Sequence, residues 1–158
     1  MALRQVRVLG DDILSKRSKE VKEITPRLRE LIDDMFDVLY DSNGVGLAAV
    51  QVGVLKRIIV IDISEDHSER RVLINPRILE SSGEQTGMEG CLSVPGKQGQ
   101  VTRPNYVKVV YLDENMEEQE IEGNEVLARC LCHELDHLDG HTYVEKVEGE
   151  LVDAEQEE

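Results

Sequence analysis

Tryptophan is missing from this chain, phenylalanine occurs once, and aromatic residues make up only 3% of it. A core built from these 158 residues must therefore be packed by leucine, valine and isoleucine. Cysteine is scarce and odd in number: Cys91, Cys130 and Cys132 cannot all pair with one another. That count argues against a disulfide framework and suits a reducing cytoplasm. Apolar runs reach only the length of Ile58 to Ile61, far short of the roughly 20 residues that cross a bilayer. Met1 to Gly10 lacks the apolar stretch of an export signal. The expectation is a soluble, cytoplasmic protein. Basic charge is also short, with 18 lysines and arginines against 33 acids and a formal net charge of −15. Such a balance repels phosphate backbones and anionic lipid at long range, which excludes stable nucleic-acid binding and membrane association.

No internal repeat or low-complexity linker divides the chain, so residues 1–147 are expected to form a single domain. From Glu148 to Glu158 there are acids and no base, the pattern of a solvated tail. Thr25 and Pro26 suit the N-cap and first position of a helix with apolar face Leu28, Leu31, Ile32, Met35, Phe36 and Leu39. Asn43-Gly44 should stop it. Short β-rich segments follow at Arg57 to Ile63, Val72 to Leu79, Tyr106 to Leu112 and Glu118 to Ile121, separated by Gly, Pro, Asn and Asp. A second helix is expected from its cap at Asn124 to Gly140. Helices bracketing clustered strands predict an α+β fold, with antiparallel sheets packed around a central metal-binding helix and a second, N-terminal helix.

That central helix carries His133-Glu134-Leu135-Asp136-His137. One helical turn separates the two histidines, so both imidazoles face one way and can grip a divalent ion, with Glu134 beside them as proton carrier. A third protein ligand is needed. At metzincin spacing the third histidine would fall on Tyr143, and the glutamates beyond it belong to the acidic end. Upstream, the strongest candidate is Cys91 in Glu89-Gly90-Cys91-Leu92-Ser93, a soft thiolate donor. At about 100° per residue, Val126, Arg129 and Cys130 share the side of the helix that bears His133 and His137. A mostly apolar wall beside an ion suits a substrate with an apolar side chain. Arg129 is unusual on such a wall and is expected to reach the pocket mouth. Asp136 turns toward a neighbouring element. Gly44-Val45-Gly46-Leu47-Ala48-Ala49-Val50-Gln51 is not a phosphate loop, since no strand precedes it and no Gly-Lys-Ser/Thr follows. Its small residues make a turn or admit an extended peptide backbone, and Gln51 can donate an amide hydrogen bond to a reacting oxygen.

Taken together, these three segments resemble, in order, the three signature motifs of the peptide deformylases, and the likeness extends from Gly10-Asp11 to about Val147. The resemblance implies an α+β fold and a metal-dependent hydrolase that removes the N-formyl group from the formyl-methionine of nascent polypeptides, releasing formate. It implies Cys91, His133 and His137 as metal ligands, Fe(II) as the working ion, and zinc, nickel or cobalt as substitutes. Glu134 becomes the catalytic acid and base, while the Gln51 side chain and the backbone N–H of Leu92 become oxyanion donors. Substrate backbone would lie along Gly44, Val45 and Gly46. Its methionine would enter a pocket lined by Val45, Val126, Arg129 and Cys130. Partners implied are N-formyl-methionyl peptides and nascent chains, with transient proximity to the ribosome.

The chain departs from that family in places. Cys132 stands where glutamine usually precedes the first histidine, and it turns away from the metal as a small buried hydrophobe. Some members dock on the ribosome through a basic C-terminal helix, whereas this chain ends in acids. Arg103 and Glu89 are a candidate ion pair anchoring the Cys91 loop, and His67 and His141 are expected at the surface. Two competing readings are a gluzincin-like protease with Glu155 as third ligand and a noncatalytic protein that keeps the fold. The first leaves Cys91 and Gln51 without a role, and the second leaves Glu134 and Gln51 without one.

Overall fold

In the computed structural model, residues 4–153 are described. Helix α1 (Pro26–Asp41) and helix α2 (Glu125–Leu138) pack on eight strands: β1 (Gly46–Ala48), β2 (Ile58–Ile61), β3 (Arg71–Ser82), β4 (Gln85–Cys91), β5 (Val94–Arg103), β6 (Tyr106–Leu112), β7 (Glu118–Asn124) and β8 (Val152–Asp153). One sheet runs β1-β2-β3-β6-β7 and the other β4-β5-β8, and every pairing in them is antiparallel. The expected α+β architecture is the observed one.

Strand β2 explains how the two helices share one sheet. All four of its residues are apolar and buried, and successive side chains in a strand point to opposite faces. Ile58 and Val60 join the α1 residues Leu31, Ile32, Met35, Phe36 and Leu39 in one cluster. Ile59 and Ile61 join Leu131, Leu135 and Leu138 of α2 in the other. Each such side chain taken out of water contributes roughly 1.5–3 kcal/mol. The sheet is thus covered on both faces, and α2 lies where its polar face can meet the second sheet.

Local signals set the helix ends. Thr25 accepts a hydrogen bond from the Leu28 N–H at 3.2 Å, and Pro26 opens α1, as its sequence predicts. Asn124 occupies the N-cap position of α2 without a side-chain cap bond, and that helix ends at Leu138, two residues earlier than expected. Strand β3 is longer than the pattern suggested. A register shift lies between Ile74 and Arg77, with Asn75 at φ +50° and Pro76 at the irregularity, where a missing N–H costs no ladder bond.

The β4–β5 hairpin was not anticipated. The segment expected to present Cys91 from a loop is instead the last residue of a strand. From Glu148 to Asp153 the expected tail is exposed, yet Val152 and Asp153 pair with Gln98 and Lys97 of β5. Residues 154–158 of that tail lie outside the described residues, as does Glu155.

Candidate active site

Two secondary structures bring the metal-ligating candidates together. His133 and His137 sit on successive turns of α2, with ring centroids 5.0 Å apart, and Cys91 arrives at the end of β4. Their ligating atoms lie within 4.8 Å of one another, and the Cys91 Sγ is 3.3 Å from Nε2 of His137. Both histidines are buried. Among the described residues this trio is the cluster suited to a metal, and Cys130 stands outside it. The Cys130 sulfur instead meets the Val45 carbonyl at 3.8 Å.

Electrostatics favour a cation among these ligands. Burial disfavours a charge on His137, and with His133 beside it the ring is held down at about 3, so it is a neutral lone-pair donor. Burial acts the same way on His133, but Glu134, Cys91 and Glu89 outweigh it and push that ring up to about 10. A thiolate with two imidazoles is a donor set accepted by iron, zinc, nickel and cobalt, so the residues present fit a bound metal.

Glu89 organises the ligands from behind. Its carboxylate accepts from Nδ1 of His133 at 2.8 Å and from Arg103 Nε and Nη2, each at 2.9 Å. Burial would raise this carboxyl, but Arg103 and His133 hold it down at about 2. Arg103 then reaches Asp136 at 2.6 Å, which ties α2 to the hairpin and confirms Asp136 as a group turned to a neighbouring element. With its Nδ1 committed to Glu89, His133 is left to offer its other nitrogen to a ligand.

Glu134 and Gln51 flank the cluster. Glu134 is 4% exposed and its Oε1 has no hydrogen-bond partner. Burial, opposed by His133, raises its carboxyl to about 7. Gln51 lies on a 3-10 turn after β1 and is oriented by its neighbours. Its Oε1 accepts from the Ala48 N–H at 2.9 Å, so its Nε2 must face the hairpin, where it meets Ser93 Oγ at 3.1 Å and Cys91 Sγ at 3.5 Å.

A cavity of about 480 Å³ opens onto these groups. All the residues expected to contact substrate line it: Gly44, Val45 and Gly46 on one side, and Val126, Arg129 and Cys130 on another, with Leu92 at the hairpin turn. Val126, Arg129 and Cys130 thus share the side of α2 that borders this cavity. The Arg129 head group behaves otherwise than expected. Rather than reaching the mouth, its Nη1 donates to Glu89 at 2.6 Å, Val101 O at 3.2 Å and Gly87 O at 3.4 Å. Cys132 is buried, His67 stacks on Tyr40 in an exposed stretch, and His141 pairs with Glu145 at the surface.

Three site residues escaped the sequence. Glu89 was seen only as a partner of Arg103, not of His133. Residues two apart on a strand share a face, so assigning β4 would have put Glu89 beside Cys91. Ser93 fixes Gln51. Tyr143 fills the metzincin ligand position as a packing residue, 1% exposed and stacked on His133 with ring centroids 5.8 Å apart.

Comparison with known proteins bears on this geometry. A family model described as polypeptide deformylase matches residues 3–151. A peptide deformylase from Agathobacter rectalis is 65% identical over 158 residues, covering 100% of this chain and 98% of the relative. One from Lachnoclostridium phytofermentans is 58% identical over 163 residues, covering 100% of both. Among solved structures, a peptide deformylase from Legionella pneumophila superposes with a TM-score of 0.91 at 46% identity, covering 93% of this chain and 87% of that one. Another, from Synechococcus elongatus in complex with actinonin, gives 0.89 at 43%, covering 92% and 80%.

Proposed function

Because the chain belongs to the polypeptide deformylase family, we propose that Cys91, His133 and His137 hold its metal and that Glu134, Gln51 and the backbone N–H of Leu92 carry its chemistry. The protein is a metal-dependent hydrolase that removes the N-formyl group from the N-terminal formyl-methionine of nascent polypeptides and releases formate. The observation that carries the residue assignment is the convergence of one cysteine sulfur and two imidazoles within 4.8 Å.

The ion is Fe(II), with zinc, nickel or cobalt able to replace it, and when bound it supplies Lewis acidity and makes water a nucleophile near neutral pH. Glu134 takes the proton from the attacking water on its unpartnered Oε1, then delivers it to the departing amine. One carboxylate suffices because the two transfers are sequential. As the formyl oxygen gains charge, the Gln51 Nε2 turns one N–H from its long contact with Cys91 toward that oxygen, while Ser93 keeps the amide in place. The N–H of Leu92 donates to the same atom. The peptide backbone lies along Gly44 to Gly46. The methionine side chain enters between Val45, Val126 and Cys130, with the stem of Arg129 on the wall, where an unbranched thioether packs well.

Residues 1–147 form the catalytic domain, and within the acidic stretch that follows, Val152 and Asp153 add strand β8 to its second sheet. No helix among the described residues is long and apolar enough to cross a membrane. The working location is the cytoplasm, the partners are formyl-methionyl peptides and nascent chains met transiently near the ribosome, and the net charge of −15 opposes stable nucleic-acid or membrane binding.

Formate measured from formyl-Met-Ala-Ser under anaerobic, iron-loaded conditions tests the activity, and Cys91→Ala tests the ligand set. The expected result is formate from the parent protein, with loss of metal and of formate in the variant. A Cys91→Ala protein that retained its metal would overturn the assignment.

A further inference from the structure

Glu89 receives two arginines although one would neutralise it. Arg103 forks onto both carboxylate oxygens, and Arg129 Nη1 adds a third arginine contact at Oε2, 2.6 Å away. With His133 Nδ1 at Oε1, every oxygen of Glu89 accepts twice. Arg129 does more than duplicate Arg103. The same nitrogen bonds the carbonyls of Gly87 on β4 and Val101 on β5, so a single guanidinium joins both strands of the hairpin to α2. It stands one helical turn before His133, and Asp136 stands nearly one turn after it, bonded to Arg103. Three successive turns of α2 are thereby fastened to the hairpin that presents Cys91.

The guanidinium also packs over Gly87, where a Cβ would sit 3.4 Å from Nη2 of Arg129, an ordinary van der Waals distance. The Arg129 side chain lines the cavity and is 15% exposed, with its Nη1 committed to Glu89, Gly87 and Val101.

From these contacts we infer that Arg129 is a positioning residue for the metal ligands: through Glu89 it fixes the His133 ring, and through Gly87 and Val101 it fixes the distance between α2 and Cys91. The inference rests on the ligand set proposed above. Groups that orient ligating imidazoles typically change metal affinity by about 10–100-fold when removed. A substrate-facing charge would act on KM instead.

The test compares the parent protein with Arg129→Leu, which keeps an apolar stem and removes every donor, and Arg129→Lys, which returns a charge and donors without the planar fork. Cobalt(II) affinity by chelator competition, the visible spectrum of the cobalt protein, and kcat and KM on formyl-Met-Ala-Ser are measured for each. Arg129→Leu is expected to lose about tenfold or more in cobalt affinity, to shift the cobalt spectrum, and to lower kcat with KM within about twofold. Arg129→Lys should recover part of the affinity. Parent-like affinity and spectrum in Arg129→Leu, or a change confined to KM, would overturn the inference. If Arg129→Leu does not fold, the milder Arg129→Lys decides: parent-like affinity and spectrum there overturn it, and an intermediate loss supports it. Failure of the parent protein to bind cobalt would instead indict the ligand set itself, and the inference with it.

Discussion

A methyl group on Gly46 would lie 2.8 Å from Oε2 of Glu134. The same added carbon would meet the Cys130 sulfur at 2.8 Å, so β1 approaches α2 as closely as a bare backbone permits. Glycine here leaves Glu134, the proposed proton carrier, its position.

Gly46→Ala is therefore expected to cost about 1–3 kcal/mol of stability by overpacking and to lower kcat/KM by about 100-fold through displacement of Glu134. Cys91, His133 and His137 are untouched, so metal content should stay at the parent level. Thermal unfolding, metal analysis and formate release check the three parts, and parent-like turnover would remove Gly46 from the catalytic geometry.

Glu134→Gln preserves shape and removes the oxygen proposed to carry the proton. Because Glu134 is not among the three clustered ligands, the variant should keep its metal while formate release falls by about 10²–10⁴-fold, the range for loss of a general acid and base. Loss of metal in this variant would place the carboxylate among the ligands instead.

Gln51→Ala removes the proposed donor to the developing oxyanion, for which a loss of about 10²–10³ in kcat is expected, with KM little changed. Ser93→Ala leaves the amide in place, held by the Ala48 N–H but not by the Ser93 hydroxyl. Its effect should be in the same direction and smaller. Equal losses from both variants would mean that Ser93 acts on the chemistry itself.

These variants separate what the sequence made legible from what it hid. Helix α1 declared itself through Thr25, Pro26 and its apolar stripe, and α2 through the one-turn spacing of His133 and His137, because both signals are local. Phase along α2 also placed Val126, Arg129 and Cys130 on the cavity. The β4–β5 hairpin stayed hidden because Gly87, Gly90, Pro95, Gly96 and Gly99 interrupt any apolar alternation, and strand formation depends on a distant partner more than on propensity. With the hairpin unseen, the acceptors of Arg129 had no place to come from. Glu89 as the partner of His133 was lost for the same reason.

At the far end of α1, Tyr40 donates its hydroxyl to Asp62 at 2.8 Å and stacks on His67, with ring centroids 4.2 Å apart. Burial, and then the Asp62 carboxylate, push the Tyr40 phenol up to about 12, against about 10 for an unfolded tyrosine. The folded state therefore holds this proton more tightly than the unfolded state does. Its contribution is complete below about pH 10 and is lost as pH rises toward 12. Tyr40→Phe keeps the ring contacts and deletes the hydroxyl, which should cost about 1 kcal/mol at neutral pH for a half-exposed bond to a carboxylate. The melting-temperature gap between the parent protein and Tyr40→Phe should then hold steady from pH 7 to about pH 10. Above that it should shrink, because an ionised Tyr40 beside Asp62 sets two negative charges together. A gap that stays constant to the alkaline limit would mean that the hydroxyl contributes by shape alone.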